Sequence, residues 1–301
     1  QALTIANTNP IVLDAAGGCT IWLSDAKTYK FVLKNSAGVT QWTQDNINGT
    51  TSLSQLTASS GSSLVGYMPA GTGAVATTVQ TVLRETVSVT RFGAVGDGVT
   101  ADNTAFQNAL DHSLLTGAEI EVPASSGEYV ISGPLYLTYF SGCKPPKISG
   151  KGTIKFTGTS GYLFVVNGGA SGSGYPMSVD MEGVTLIGNA SAGGAINIIR
   201  AWRFGFDRVK FTGFSNSGGG AVVFDASGTL GFAGCAEFNN CDWQSCGTNI
   251  LLTGATGGIV NMVSVNGGSM LDQGYCVKAD WGAGIPSTNN IKLHGVDVEG
   301  T

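Results

Sequence analysis

Residues 92–110 read FGAVGDGVTADNTAFQNAL, and the reading of the fold starts here. Upstream, Thr86–Phe92 has the pattern of a strand, with Val87 and Val89 alternating with Ser88 and Thr90. Gly93, Gly96 and Gly98 follow. Glycine enters positive φ without a Cβ penalty, so the segment can turn sharply twice in a short space. Asp102 stands at an N-cap position, where a carboxylate can accept from the free amides of a starting helix. Phe106, Ala109, Leu110 and Leu114 recur at three- and four-residue intervals and form one apolar face, and Gly117 ends the helix. The next segment, AEIEVPASSGEYVIS, reads as a strand, a turn and another strand. A single amphipathic helix ahead of strand after strand suits a plug for the open end of a β-solenoid.

Gly93–Ser132 closely resembles the opening of the pectate-lyase-like, right-handed parallel β-helix family. There a glycine–aspartate–glycine turn leads through acidic residues and threonine into a capping helix. The preceding SLVGYMPAGTGAVATTVQTVLRETVSVTRFGAVGDG is similar to the version of that opening found in bacteriophage tailspikes. The likeness covers residues 64–135, and the family's second aspartate is Asn103 here. A dinucleotide loop is the competing explanation of glycines between a strand and a helix. Gly93, Gly96 and Gly98 do not keep the G-x-G-x-x-G spacing, and no βαβ alternation follows.

Composition agrees with many short strands joined by tight turns. Charged residues make up 12%, and 46 of 301 residues are glycine, roughly twice ordinary usage. A formal charge of −5 argues against nucleic acid or an anionic membrane surface as partner, since both call for a basic face. No apolar run approaches the ~18 residues of a membrane span, so no membrane insertion is expected. The six cysteines show no C-x-x-C pair, and His112 and His294 are the only histidines, so a zinc site lacks its usual ligands. Free, buried thiols in a protein assembled in a reducing cytoplasm are expected instead. No metal or cofactor is expected.

Residues 1–49 read as a small all-β module, with strand-like runs at Ile11–Leu13, Cys19–Leu23, Thr28–Leu33 and Val39–Thr43. Trp22, Tyr29, Phe31 and Trp42 are a heavy aromatic load for so small a unit, so part of it is expected to face a partner chain. TIWLSDAKTYKFVLKNSAGVTQWTQDNI resembles the virion-attachment modules at the N-termini of phage tail fibres and spikes, which implies other tail proteins as partners of residues 1–49. Residues 50–85 read as a neck: a Ser/Thr/Gly/Ala linker, then a short helix within Val75–Arg84 that needs a packing partner.

From 86 to 301 the chain reads as the first coils of the parallel β-helix. Similar segments start at Gly183, Arg208, Asn240, Asn266 and His294, spaced by 25, 32, 26 and 28 residues. A period in the twenties built from strands and turns is the signature of β-helix coils. Val184, Leu186, Val209, Phe211, Val296 and Val298 are the expected inward residues. The longer second interval leaves room for a glycine-rich loop, SNSGGGAVVFDASGTLGFAG. No polar cap follows the last coil, so the chain is expected to be the N-terminal portion of a longer polypeptide.

Glycan cleavage usually needs two carboxylates, one an acid and the other a base or nucleophile. Residues i and i+2 of a strand share a face, which selects Glu119/Glu121, Asp180/Glu182 and Asp297/Glu299. Glu119/Glu121 and Asp180/Glu182 read as solvated edges. Asp297 and Glu299 sit deeper in the solenoid and are the candidate catalytic pair. Arg200, Arg203, Arg208 and Lys210 cluster with Trp202, Phe204 and Phe206; Arg200, Trp202 and Arg203 are the candidate substrate-binding residues, and Trp202, Trp243 or Trp281 can stack on sugar rings. The pectate lyases proper hold calcium with clustered aspartates, whereas Asp242, Asp272 and Asp280 are scattered.

The resemblance to tailspikes implies a homotrimer carried on the virion tail and assembled in the host bacterium. It also implies depolymerase activity, hydrolase or lyase, against capsule, exopolysaccharide or O-antigen, with the active site on the last coils or beyond Thr301. A non-enzymatic adhesin or anchor for other tail proteins is the alternative, and a cellular pectinolytic enzyme fits the N-terminal module poorly.

Overall fold

The structure, a computed structural model, describes residues 11–21, 23, 27–48, 53–169, 177–216, 218–227, 232–254, 258–271, 274–281 and 287–299. The chain divides into two compact units, Gln1–Val82 and Leu83–Thr301.

In the first unit Thr28–Lys34 and Thr40–Asn48 form an antiparallel hairpin. Its turn is closed by Asn35, whose side-chain oxygen accepts from the amides of Ala37 and Val39. The strands expected at Ile11–Leu13 and Cys19–Leu23 are not formed where they are described: Ile11–Leu13 and Cys19–Ile21 are irregular, and Trp22 lies outside the described residues. The Asp14 carboxylate, accepting from the Ala16 and Gly18 amides, folds that stretch into a local turn instead. Trp42 and Val39 are more than half-exposed or close to it, at 50% and 57%. The neck helix shrinks to Val79–Leu83, preceded by a short ladder of Thr77–Thr78 on Gly66–Tyr67.

The second unit is a parallel β-helix. Its three parallel sheets contain eight, seven and six strands, here called sheets 1, 2 and 3. Each coil gives one strand to each sheet in turn, as with Val179–Glu182, Thr185–Ile187 and Gly194–Ile199. The five segments that repeat in the sequence are neighbours in sheet 2, as Thr185–Ile187, Lys210–Thr212, Asp242–Gln244, Ser269–Leu271 and Asp297–Glu299. What repeats is a corner. The residue that follows each of the last five sheet 1 strands turns left-handed, at Gly183, Arg208, Asn240, Gly267 and Gly295, with φ between 51° and 75°. Above the corner, Asn266 donates its amide to the Asn239 side chain at 3.0 Å.

In-register parallel pairing places like side chains one strand spacing apart, so rings stack. Phe206 lies on Phe238 at 4.6 Å and Phe211 on Trp243 at 5.4 Å. Val184, Leu186, Val209 and Phe211 are fully buried as expected, and Val296 packs against the core. Val298, in register with Met270, is half-exposed because no described strand covers it. The 215–234 stretch is more than a loop: its β-branched run forms Val222–Ala226 of sheet 3, and Phe232–Asn239 already belongs to sheet 1.

Helix Asn103–Thr116 closes the first coil. Phe106, Ala109, Leu110 and Leu114 are buried, Phe106 meets Tyr129 edge-on at 5.4 Å, and Gly117 ends the helix at φ 81°. Gln107 treats strand Leu135–Thr138 as a neighbouring strand would, donating to the Tyr136 carbonyl and accepting from its amide, both at 2.9 Å. Asn103 accepts from the Ser132 amide and donates to the Gly133 carbonyl, a bond that a carboxylate could not make.

Two details differ from the sequence reading. The strand expected over Thr86–Phe92 ends at Ser88, where the Ser88 hydroxyl accepts from the Thr90 amide and starts a 3-10 turn over Val89–Phe92. Asp102 makes no side-chain cap bond to its helix. Its buried carboxylate reaches back to the amides of Val95 and Gly96, at 2.7 and 3.2 Å, and so fixes the glycine turn. The turn tolerates no side chain at Gly96, where a Cβ would come within 2.7 Å of Ser125 and Tyr129.

Asp102→Ala strands the buried Gly96 amide and the part-buried Val95 amide and is expected to destabilise the solenoid by about 2–4 kcal/mol, and Phe106→Ala by about 3–5 kcal/mol, in chemical denaturation. Asp97 accepts from the amides of Val99 and Thr100 and from the Thr100 hydroxyl. These bonds, the Thr100 amide first, hold its carboxyl below the ordinary 3.8, at about 2. A lowered folded value means that the contribution is complete above the ordinary value and lost as pH falls toward 2. The protection of the Val99 and Thr100 amides against hydrogen exchange, relative to the free-peptide rate at each pH, should therefore fall over that window in the native protein and lack the transition in Asp97→Asn.

Candidate functional site

A groove of about 910 Å³ runs along the outward face of sheet 1. Its lining includes Asp180, Trp202, Arg203, Glu237, Met262 and Lys292. Two columns form its floor. In the first, Asp180, Gly205, Glu237, Ser264 and Lys292 stand in register on successive strands, and Lys147 extends the row beyond the groove. In the second, Arg203, Cys235, Met262 and Asn290 all take a left-handed backbone conformation, with φ of 71°, 54°, 57° and 58°. A left-handed residue inside a strand is a bulge, which re-aims its side chain. Repeated across four adjacent strands, the bulges make a ridge along the groove. The Cys235 thiol meets the Met262 sulfur at 3.8 Å.

The charges divide into spent and available groups. Lys147 lies 3.1 Å from Glu119 and 3.5 Å from Glu182, and Arg208 lies 2.6 Å from Glu182 and also meets Asp207. Hydrogen bonds from Ser149 and Lys147 hold the Glu119 carboxyl below its ordinary value, and Glu119 in turn raises Lys147. Glu182 is thus occupied by cations. Asp180 and Glu237 are exposed, and among the described residues neither has an ion pair, although Arg203 and Lys292 line the same groove. Opposite charges that share a groove without pairing are free to meet a ligand.

Asp180 and Glu237 are two strands apart, about 9–10 Å between backbones at ~4.8 Å per strand. Their side chains can close this to the ~6.5–9.5 Å that separates acid and base when a water must fit between. Among the described residues no three His, Cys, Asp or Glu side chains converge to hold a cation, so no step is routed through a metal.

Of the residues selected from sequence, Trp202 and Arg203 line the groove. Arg200 sits at the end of a sheet 3 strand with φ 50°, its Nε buried without a hydrogen-bond partner. Lys210 is exposed on sheet 2, in register with Asp242. Asp297 and Glu299 are exposed on the sheet 2 strand that closes the described chain, away from the groove lining. Trp243 is buried in the core, and the Trp281 side chain and Asp272 lie outside the described residues. Pairing Asp180 with Glu237 was missed because i, i+2 spacing looks along a strand. The signal was present: Asp180, Gly205, Glu237, Ser264 and Lys292 each lie three residues before a corner residue.

The fold is that of a pectate-lyase-like parallel β-helix. The sequence model of the family described as rhamnogalacturonase A/epimerase, pectate lyase-like, matches residues 86–277, and the chain belongs to this family. No curated protein matches the chain in sequence. Among solved structures, tailspike protein 3 of bacteriophage CBA120 is similar at 16% identity and a TM-score of 0.46, over 82% of this chain and 49% of that one. A double mutant of the tailspike of E. coli bacteriophage HK620 gives 14% and 0.44, over 81% and 56%. The chain spans about half the length of these tailspike chains.

Cys19, Cys143, Cys235, Cys241 and Cys246 stand outside any disulfide. Burial pushes the Cys241 thiol up to about 12 and Cys246 to about 11, while Cys19 is exposed. A thiol reagent at pH 8 should therefore modify Cys19 in the native protein and reach Cys241 and Cys246 only on unfolding; native labelling of either, mapped by mass spectrometry, would contradict this burial.

Proposed function

We propose that the chain is the N-terminal part of a phage tailspike that binds and cleaves bacterial surface polysaccharide (capsule, exopolysaccharide or O-antigen). Residues 1–49 mount it on other tail proteins of the virion, 50–85 form the neck and 86–301 begin the working β-helix of a homotrimer assembled in the host cytoplasm. The sequence likeness of 20–47 to attachment modules and of 64–135 to the tailspike opening supports this division. A light-scattering mass of three chains is expected, and a monomer would remove the trimer.

The observation that carries the catalytic reading is the pair of unpaired carboxylates across one strand of an open groove. A glycan lying along the solenoid axis passes over both. One carboxylic acid gives its proton to the glycosidic oxygen as the bond from that oxygen to the anomeric carbon breaks. The other carboxylate takes a proton from water as the water oxygen bonds to the same carbon. Arg203 and Lys292 can hold polar or anionic substituents to either side, and Trp202 can offer a ring face.

Incubation with rhamnogalacturonan, polygalacturonate, alginate and purified bacterial O-antigen and capsule is expected to give new reducing ends from one of them. A product absorbing in the ultraviolet as an unsaturated uronate would make the reaction an elimination instead. Asp180→Asn and Glu237→Gln should each lower kcat at least a hundredfold. Loss of cleavage in Asp297→Asn with Glu299→Gln, and not in the groove variants, would move the site to sheet 2. Binding without shortening of any chain would make the protein an adhesin.

A further inference from the structure

Gly205 occupies a position that the fold gives no reason to keep bare. It lies mid-strand in Trp202–Asp207, between the buried Phe204 and Phe206, where a glycine weakens a strand. Its φ is outside the left-handed range, so its backbone does not call for glycine. The other glycines within the solenoid strands are explained by backbone: a Cβ at Gly150 would strike Val122, at Gly194 Gly220, at Gly234 Asn261 and at Gly254 Ala226, each at a backbone atom within 3.2 Å. At Gly205 a Cβ would meet a single group, the Asp180 carboxylate, with Oδ1 at 2.6 Å and Cγ at 3.5 Å. The register then fixes the direction. Asp180 pairs with Gly205, and Gly205 pairs with Glu237 on the far side. The Asp180 carboxylate therefore lies over the intervening strand, inclined toward Glu237, in space that any other residue would fill.

We propose that Gly205 is a positioning residue of the groove: its missing side chain lets Asp180 lean across the strand toward Glu237 and lets a bound sugar approach the sheet between them. This rests on the reading of the groove as a glycan-cleaving site. Gly205 does no chemistry itself and acts through Asp180.

Gly205→Ala is a clean probe, because the added methyl suits the backbone and meets only the movable end of one exposed side chain. The variant should keep the circular dichroism and melting temperature of the parent. On whichever polysaccharide of the panel above is shortened, kcat should fall at least tenfold while KM changes less than threefold. Added to Asp180→Asn, the alanine should cost less than twofold more, since the group it displaces is already disabled. A crystal structure of Gly205→Ala should show the Asp180 carboxylate displaced from above residue 205. Equal cleavage by Gly205→Ala and the parent, or full additivity with Asp180→Asn, overturns the role of Gly205 and leaves the cleaving groove standing. A parent that shortens none of the panel overturns the cleaving groove and the positioning role together.

Discussion

The structure depends on closing the first coil. A parallel β-helix presents a raw edge at its start, with unpaired amides and carbonyls and an exposed cross-section of apolar core. Helix Asn103–Thr116 answers both needs. Its Phe106, Ala109, Leu110 and Leu114 face covers the core, and the amide side chains of Asn103 and Gln107 satisfy backbone groups of strand Leu135–Thr138 and of the connection that precedes it. Asp102 then locks the glycine turn that brings the helix over the opening. Once the edge is sealed, each further coil needs only its predecessor as template, and the stacked Phe206–Phe238 and Phe211–Trp243 rings are the product of that copying.

Much of this was legible because two features repeat or turn sharply. The helix showed itself through spacing and through Gly117, and sheet 2 through a corner that returns at Gly183, Arg208, Asn240, Gly267 and Gly295. What failed to show were choices that local pattern leaves open. Ile11–Leu13 is as apolar as a strand, yet the Asp14 side chain bends the chain next to it. Asp102 has two sets of amides within reach, and the preference for the turn is decided in three dimensions. Val222–Ala226 was hidden by the glycines on both sides of it.

The groove was half legible for a related reason. Trp202 and Arg203 were found through local clustering. Asp180 was seen but matched with Glu182, which the structure ties to Lys147 and Arg208. Register in a parallel sheet runs across strands, so the neighbour of a residue lies a whole coil away and pattern along one strand cannot reveal it. Aligning the coils on the left-handed corner residues that the structure identifies brings both floor columns into line.

The two acids of the groove are 57 residues apart in sequence, yet their separation in space is set by two rungs of backbone hydrogen bonding. The coils between and around them differ in length by up to seven residues, from 25 to 32, without disturbing that alignment. Spacing along the axis thus behaves like a lattice constant. Insertions and deletions can accumulate in the connecting segments while the geometry on this face stays quantised, so the distance between the two acids holds whatever the rim carries.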